Sequence, residues 1–315
     1  MPSLRFARRA QLPALRALLI DRTPLPRDDA TTAAALYHRL EGYAVRADPG
    51  SPLLHAHRQI ALSTALVRAQ LPAAAQALGS EPVLVKGPAA AALHPSPELR
   101  PYGDLDLVVP RAELRDAAAT LQAAGWRLSR APRMGVAGGE PWEGFAEAYG
   151  HELGLARDVG SHVAGLELHW RLTDDPRVDA LDRDALARGG SELDGAIVPA
   201  TPVLLLALAV HLVAHPDRRL LMVQDVALAA RHGVPFDLAD ELDLAWELDL
   251  ALEAAQEYAG LEVDRRPRPA RPPLGPLRTA LWPVPRPLGV HVGRLAALRG
   301  AERLRYVRVG LRSLR

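Results

Sequence analysis

The order of apolar and polar residues predicts a chain that begins with helices. Apolar residues recur at helical spacing over residues 9–20 and 28–46. Residues 51–78 show the same spacing, and they predict either one long helix or two helices that meet at Pro72, since proline disrupts a helix interior. Together these segments predict a helical N-terminal section, residues 1–80.

The spacing changes from helical to strand-like between residues 83 and 109. Residues 83–85 are consecutive large apolar residues, which predict a short buried strand that ends at Lys86 and Gly87. Residues 88–93 are small and apolar and predict the start of a helix, before a proline-rich turn. This order predicts a strand, a turn and a helix in quick succession.

The next predicted strand combines acidic and apolar residues in strict alternation. Residues 104–109 have the sequence DLDLVV, and alternation at period two places Asp104 and Asp106 on one face of a strand. Leu105 and Leu107 then lie on the other face. Two neighbouring carboxylates repel each other unless a cation lies between them, and Mg²⁺ bound to a triphosphate is a frequent occupant of such a pair.

Further strands follow after an amphipathic helix over residues 112–124, an edge strand over residues 126–128 and a Gly- and Pro-rich loop over residues 130–143. We predict these strands at residues 146–156 and 163–172.

The second of these strands has polar residues on alternate positions. Glu167, His169 and Arg171 share one face and are separated by Leu168 and Trp170. A position beside the strand that contains the two aspartates would make Glu167 a third carboxylate at the same site.

The C-terminal half predicts three apolar helices, over residues 201–215, 218–231 and 236–258. They form a predicted C-terminal helical section, residues 199–263. The fold class predicted for the whole chain is α+β, with a small mixed β-sheet in residues 81–198 flanked by the two helical sections.

Composition singles out Lys86, which is the only lysine in the chain, whereas every other fixed positive side chain is an arginine. A lone lysine beside a glycine suggests a site that requires a compact ammonium rather than a planar guanidinium. The chain has no cysteine, which excludes disulfides, thiolate metal sites and cysteine nucleophiles.

Charge is distributed unevenly although the formal net charge is only +1. Residues 264–315 contain thirteen arginines against Asp264 and Glu302, a net charge of about +11. We predict a linker through residue 287 and a basic helix over residues 290–314. This basic tail can contact phosphate backbones, such as that of an RNA, or acidic lipid, or it can equally dock on the acidic remainder of the chain.

Hydropathy indicates no membrane insertion. Residues 1–30 lack the uninterrupted apolar run of a signal peptide, and the longest apolar segment, residues 202–212, is too short to span a bilayer. The expected location is therefore the cytoplasm.

The order of these motifs resembles the nucleotidyltransferase superfamily that includes DNA polymerase beta. Its pattern is hG[GS], a spacer and then Dh[DE]h on the next strand. Here Lys86-Gly87-Pro88 stands in place of hG[GS], and the spacer to Asp104 is longer than in the pattern.

A narrower resemblance is to the bacterial uncharacterised nucleotidyltransferase family. It consists of a KG pair, an R-P-x-x-D-x-D-L run that begins at Arg100, and a later E-L-H-W that begins at Glu167. The resemblance covers roughly residues 63–233. Its matching positions are Lys86, Gly87, Arg100, Asp104, Asp106, Glu167, His169 and Trp170.

The resemblance implies an enzyme that uses Mg²⁺ and a nucleoside triphosphate (NTP). Under it, Asp104 and Asp106 bridge two Mg²⁺ ions, and Glu167 completes the second metal site and favours deprotonation of the acceptor. The acceptor of the nucleotide stays open between a tRNA end, a protein hydroxyl and a small molecule.

The remaining positions receive binding and supporting roles. Lys86 and Gly87 would hold the β- and γ-phosphates at the turn before the helix, and Arg100 would neutralise charge on the leaving pyrophosphate. His169 and His151 would support the site rather than ligate Mg²⁺, because this ion prefers oxygen ligands.

Other interpretations remain. The atypical Lys-Gly-Pro turn favours a non-catalytic protein that keeps the fold for nucleotide binding or for contact with a partner. A metal-dependent glycosyltransferase also uses D-x-D, but no strand-helix repeat of the nucleotide-sugar-binding type precedes the motif. His211 and His215 have the i, i+4 spacing of a zinc site without an obvious third ligand, and Asp225 is expected to pair with His211.

Overall fold

A mixed β-sheet forms the centre of the protein. The computed structural model describes residue 4 and residues 6–266, except residues 80, 130–150, 174–175 and 216. Within these residues seven strands form one sheet in the order β3-β4-β5-β2-β1-β7-β6. The strands are β1 (Val83–Leu84), β2 (Asp104–Val108), β3 (Arg127–Leu128), β4 (Glu152–Val159), β5 (His162–His169), β6 (Ser191–Leu193) and β7 (Ala196–Val198).

The pairing of the strands places β2 and β5 next to each other in the middle of the sheet. They run parallel to each other, while β1 pairs with β2 and β4 with β5 in antiparallel orientation. Apolar residues of both central strands, such as Leu107 and Leu168, are completely buried. The strand with the two aspartates is therefore an internal strand with neighbours on both sides, and β3 is an edge strand as predicted.

Helices precede and follow the sheet, which confirms the α+β class. The C-terminal helices α9, α10 and α12 pack on one another, and α1 packs on α12. None of the helices in the described residues has both the length and the apolar content needed to cross a membrane. The α-helices are α1 (Leu12–Asp21), α2 (Asp29–Tyr37), α3 (Glu41–Ala47), α4 (Leu54–Arg68), α5 (Leu71–Leu78), α6 (Pro88–Ala91), α7 (Leu114–Ala123), α8 (Arg183–Ala187), α9 (Thr201–Ala214), α10 (Leu220–Ala230), α11 (Phe236–Glu241) and α12 (Ala245–Ala259).

Two predicted helices are each divided in the structure. The segment 28–46 contains α2 and α3, and the segment 236–258 contains α11 and α12. In each break one residue that is not glycine, Arg39 or Asp243, adopts a positive φ of about 60° (60° and 56°). That conformation ends a helix, and neither residue type signals it in the sequence.

The sheet also contains a hairpin that the sequence analysis missed. Strands β6 and β7 pair through a turn at Asp194 and Gly195, both of which have positive φ values of 52° and 83°. Asp-Gly is a strong signal for a two-residue hairpin turn. The predicted loop over residues 130–143, the first part of the predicted strand 146–156 and the tail beyond residue 266 lie outside the described residues.

A buried polar network ties the helical sections to the sheet. The Tyr43 hydroxyl on α3 is 2.8 Å from His94 Nδ1, and His94 Nε2 is 2.8 Å from an Asp225 carboxylate oxygen on α10. Arg100, four residues before β2, donates to the same carboxylate from Nε and from Nη2, the latter at 2.9 Å. The expected pair of Asp225 with His211 is therefore wrong, because Asp225 binds His94 and Arg100.

The charge balance of this network depends on Asp225. Burial alone would raise the pKa of its carboxyl group, but Arg100 and His94 hold that pKa below its ordinary value. Asp225 is 1% exposed and Arg100 is 8% exposed, so neither charge has water as an alternative partner.

We predict that Asp225→Ala lowers the free energy of unfolding by about 3–5 kcal/mol, because it leaves the buried guanidinium of Arg100 without its partner. Urea denaturation followed by circular dichroism measures the change. The matched control is Asp158→Ala, which removes an exposed partner of Arg127 and should change stability by less than about 1 kcal/mol. Equal losses in the two variants would contradict the prediction.

Candidate active site

The parallel pairing of β2 with β5 brings the predicted acidic residues to one face of the sheet. Asp106 lies opposite Glu167 and Asp104 lies opposite Gly165 in the register of the two strands. Paired residues on neighbouring strands point to the same face, so the carboxylates of Asp104, Asp106 and Glu167 share one face. The structure thus brings together all three residues that the sequence suggested.

Two glycines allow the backbone to approach the start of β2 closely. A Cβ atom on Gly165 would lie 2.9 Å from the carbonyl oxygen of Gly103 and 3.1 Å from the Cβ of Asp104. Gly87 has φ of 51°, and a Cβ there would lie 3.2 Å from the carbonyl oxygen of Asp104. Both glycines therefore help to fix the position of Asp104.

Lys86 and His169 supply the positive charge between the acids. The Lys86 ammonium contacts Asp106 Oδ1 and lies 3.7 Å from Glu167 Oε2. His169 Nε2 lies 3.2 Å from Asp106 Oδ1 and 3.5 Å from Glu167 Oε2. Asp106 and Glu167 are thus held between two cationic side chains.

The pKa values of the three acids differ because their neighbours differ. Burial, followed by the charges of Asp106 and Glu167, raises the pKa of Asp104 to about 7. Burial also acts on Glu167, but the hydrogen bond from His169 and the charge of Lys86 lower its pKa to about 2. For Asp106, Lys86 and His169 together outweigh burial and lower the pKa. Asp104 is consequently the carboxylate of the three whose protonated form is most favoured.

His169 is buried, and its carboxylate neighbours favour the protonated ring. Burial would lower its pKa, but hydrogen bonds to Asp106 and Glu167 raise the pKa to about 9. Its Nδ1 atom is buried without a hydrogen-bond partner among the described residues. Asp106, Glu167 and His169 each offer one possible ligand atom, and these three atoms lie within 4.8 Å of one another. Among the described residues, these three form a group that is spaced to hold a metal ion.

A fourth carboxylate, which was not predicted from the sequence, lies on this face. Glu152, the first residue of β4, lies opposite His169. Burial would raise its pKa, but a hydrogen bond from His151 lowers it to about 2, and His151 Nε2 lies 3.1 Å from Glu152 Oε2. His151, predicted to support the site, therefore lies at its border, with its ring centroid 6.0 Å from that of His169.

Arg100 and His211 lie close enough to interact electrostatically with the site. Burial would lower the pKa of Arg100, but Asp225, and then Asp106 and Asp104, raise it. The guanidinium of Arg100 is bound to Asp225, so the contact of Arg100 with pyrophosphate stays a prediction. Burial and the charge of Lys86 lower the pKa of His211, which stacks edge-on with His215 at 5.0 Å.

The comparisons with known proteins agree with this arrangement. The sequence model of the family described as "Uncharacterised nucleotidyltransferase" matches residues 28–260. Neither the curated proteins nor the solved structures contain a match to the chain. The family match includes all seven strands and most of both helical sections. Since it covers well over half of the chain, the protein belongs to the uncharacterised nucleotidyltransferase family.

Proposed function

We propose that this protein is a magnesium-dependent nucleotidyltransferase that transfers a nucleoside monophosphate from an NTP to a hydroxyl acceptor. The observation that supports this most is the convergence of Asp104, Asp106 and Glu167 on one face of two adjacent parallel strands. Nucleotidyl transfer requires such a set of acids to hold metal ions against a triphosphate.

The chemistry of the acids fits magnesium. Carboxylate oxygens are the ligands that Mg²⁺ prefers. Burial and the neighbouring carboxylates raise the pKa of Asp104, and a bound cation would favour its ionised form. Asp104, Asp106 and Glu167 would hold the ion or ions, while His169 hydrogen-bonds Asp106 and lies 3.5 Å from Glu167, which would help to orient these two carboxylates. Bound magnesium would neutralise charge on the phosphates and make the α-phosphorus more electrophilic.

In the proposed reaction an oxygen of the acceptor hydroxyl forms a bond to the α-phosphorus, and the bond from that phosphorus to the bridging oxygen of pyrophosphate breaks. The hydroxyl proton leaves to solvent. Glu167 is held ionised, which suits it to orient the hydroxyl. Lys86 would balance charge on the departing pyrophosphate, to which its long side chain can reach.

The start of the basic tail bears on the nature of the acceptor. An RNA acceptor would rely on the arginines beyond residue 264. The first two of these arginines bind acidic residues of the protein itself: Arg265 pairs with Asp249 on α12 and Arg266 pairs with Asp237 on α11. This favours docking of the start of the tail on the acidic body over its use as an RNA contact.

One observation favours the second interpretation, a non-catalytic protein that binds nucleotide or a partner. The ammonium of Lys86 contacts Asp106, a carboxylate that the proposed reaction requires as a metal ligand. A site neutralised by its own lysine can bind a nucleotide without performing transfer.

We predict that the purified protein, incubated with Mg²⁺, a cell lysate and each labelled NTP in turn, transfers label to an acceptor. Asp106→Asn should lower transfer by more than about 100-fold, since loss of a direct ligand exceeds the effect of losing an outer partner. Asp158→Asn, at an exposed position of β4, serves as the control and should retain activity. Binding of an NTP without transfer by the unmodified protein would support the second interpretation instead.

We predict that Gly165→Ala lowers transfer by about 10- to 100-fold, because the added methyl group displaces the backbone at Asp104, and displacements near 1 Å have effects of this size. The matched control is Gly103→Ala, where a Cβ atom would meet nothing within 4 Å. Rates of transfer at saturating NTP compare the two. Equal activity of both variants would mean that the position of Asp104 is not critical.

We predict that Asp104→Asn stabilises the metal-free protein, and more at pH 8 than at pH 5. The folded-state pKa of about 7 exceeds the ordinary value of 3.8, so folding favours the protonated form. The wild-type protein therefore loses stability as the pH rises from about 4 to 7, and an amide avoids this loss. Melting temperatures in EDTA at both pH values measure the effect, and an equal shift at the two pH values would contradict it.

A further inference from the structure

The Lys86 ammonium occupies the space that the proposed function assigns to a metal ion. It contacts Asp106 Oδ1 and lies 3.7 Å from Glu167 Oε2, and these are two of the carboxylates that would bind magnesium. Magnesium binds carboxylate oxygens at about 2.0–2.1 Å. Two cations on the same carboxylate oxygens would repel each other strongly in a buried site.

The surroundings of Lys86 show that this contact is built into the fold. The lysine follows β1, and the turn at Gly87 is packed against the carbonyl of Asp104 so closely that a Cβ would lie 3.2 Å from that oxygen. Only 16% of the Lys86 side chain is exposed. Burial would lower its pKa, yet Asp106, Glu167 and Asp104 hold the pKa above its ordinary value, so the ammonium stays charged.

A second buried side chain contacts the same two carboxylates. His169, which is 2% exposed, directs Nε2 to Asp106 and Glu167, while its Nδ1 has no partner among the described residues. Lys86 and His169 thus approach the same two carboxylates, Asp106 and Glu167.

We propose that Lys86 holds the place of a divalent cation in the nucleotide-free protein and leaves Asp106 when metal and triphosphate arrive together. This inference rests on the proposed function. Metal alone must separate Lys86 from its carboxylates without offering the ammonium a new partner, whereas a triphosphate offers its β- and γ-phosphate oxygens. Metal and nucleotide binding are then coupled, and each increases the affinity for the other.

The flexible stem of lysine makes such an exchange possible without a change in the fold. Its ammonium can move by several ångströms through rotation of four methylene groups. A guanidinium at this position would bind the carboxylates with two parallel hydrogen bonds and would be harder to displace.

Two measurements on the full-length protein test the proposal. The first is the affinity for Mn²⁺ alone, followed by electron paramagnetic resonance of the free ion, in wild type and in Lys86→Met. The variant keeps an unbranched, flexible side chain, one atom shorter than lysine, and removes its charge. It should bind Mn²⁺ about 5- to 150-fold more tightly than wild type, the usual range of coupling between sites. The control Arg127→Met removes a positive charge at an exposed ion pair and should bind Mn²⁺ as wild type does.

The second measurement needs no variant. Because Lys86 is the only lysine, protein labelled with ¹³C- and ¹⁵N-lysine gives one side-chain ammonium signal that needs no assignment. Mg²⁺ with a non-hydrolysable NTP analogue should shift this signal, and Mg²⁺ alone at the same concentration should not. This measurement keeps the proposal testable even when Lys86→Met does not fold.

The outcomes separate the inference from the proposed function. If wild type and Lys86→Met bind Mn²⁺ equally tightly, or if Mg²⁺ alone shifts the lysine signal as far as Mg²⁺ with the analogue does, Lys86 does not hold the place of the metal. The proposed nucleotidyltransferase site would still stand. If no variant binds Mn²⁺ with or without the analogue, both the inference and the metal-dependent function are overturned.

Discussion

The candidate site depends on one constraint, the parallel register of β2 with β5, which places Asp106 directly opposite Glu167. Carboxylates so close together oppose folding, since burial and mutual repulsion both disfavour their charged forms. The opposite face of the same strands supplies stabilisation, because residues such as Leu105 and Leu166 are almost completely buried there. The sheet thus uses its apolar face to hold together a polar face that would not assemble alone.

Local sequence patterns were sufficient to predict the faces of the two central strands. Alternation at period two in β2 and in β5 assigned Asp106 and Glu167 to one face each, and this requires no knowledge of the fold. Their adjacency does not follow from alternation and was expected only from the family resemblance. The β6–β7 hairpin was missed although Asp194-Gly195 signals it, whereas the helix ends at Arg39 and Asp243 have no comparable local signal.

The contacts that the sequence could not predict are those between distant residues. Arg100 and Asp225 are 125 positions apart, and only the packing of α10 against the segment before β2 brings them together. The resemblance assigned Arg100 to the pyrophosphate, but one carboxylate already holds its fork. Glu152 was overlooked for a related reason, because strand pairing cannot be read from the local sequence. Its place on the same face as Asp106 and Glu167 follows from its pairing with His169 on β5.

The single lysine connects the fold with the proposed chemistry. A buried acidic site must have compensating charge both before and after it binds a triphosphate, whose own charge is strongly negative. If the same ammonium neutralises Asp106 in the free protein and phosphate oxygens in the complex, neither state leaves a buried charge without a partner. An arginine bound to the carboxylates through a planar fork is less suited to both tasks. This accounts for a lysine at position 86 in a chain that otherwise uses only arginine.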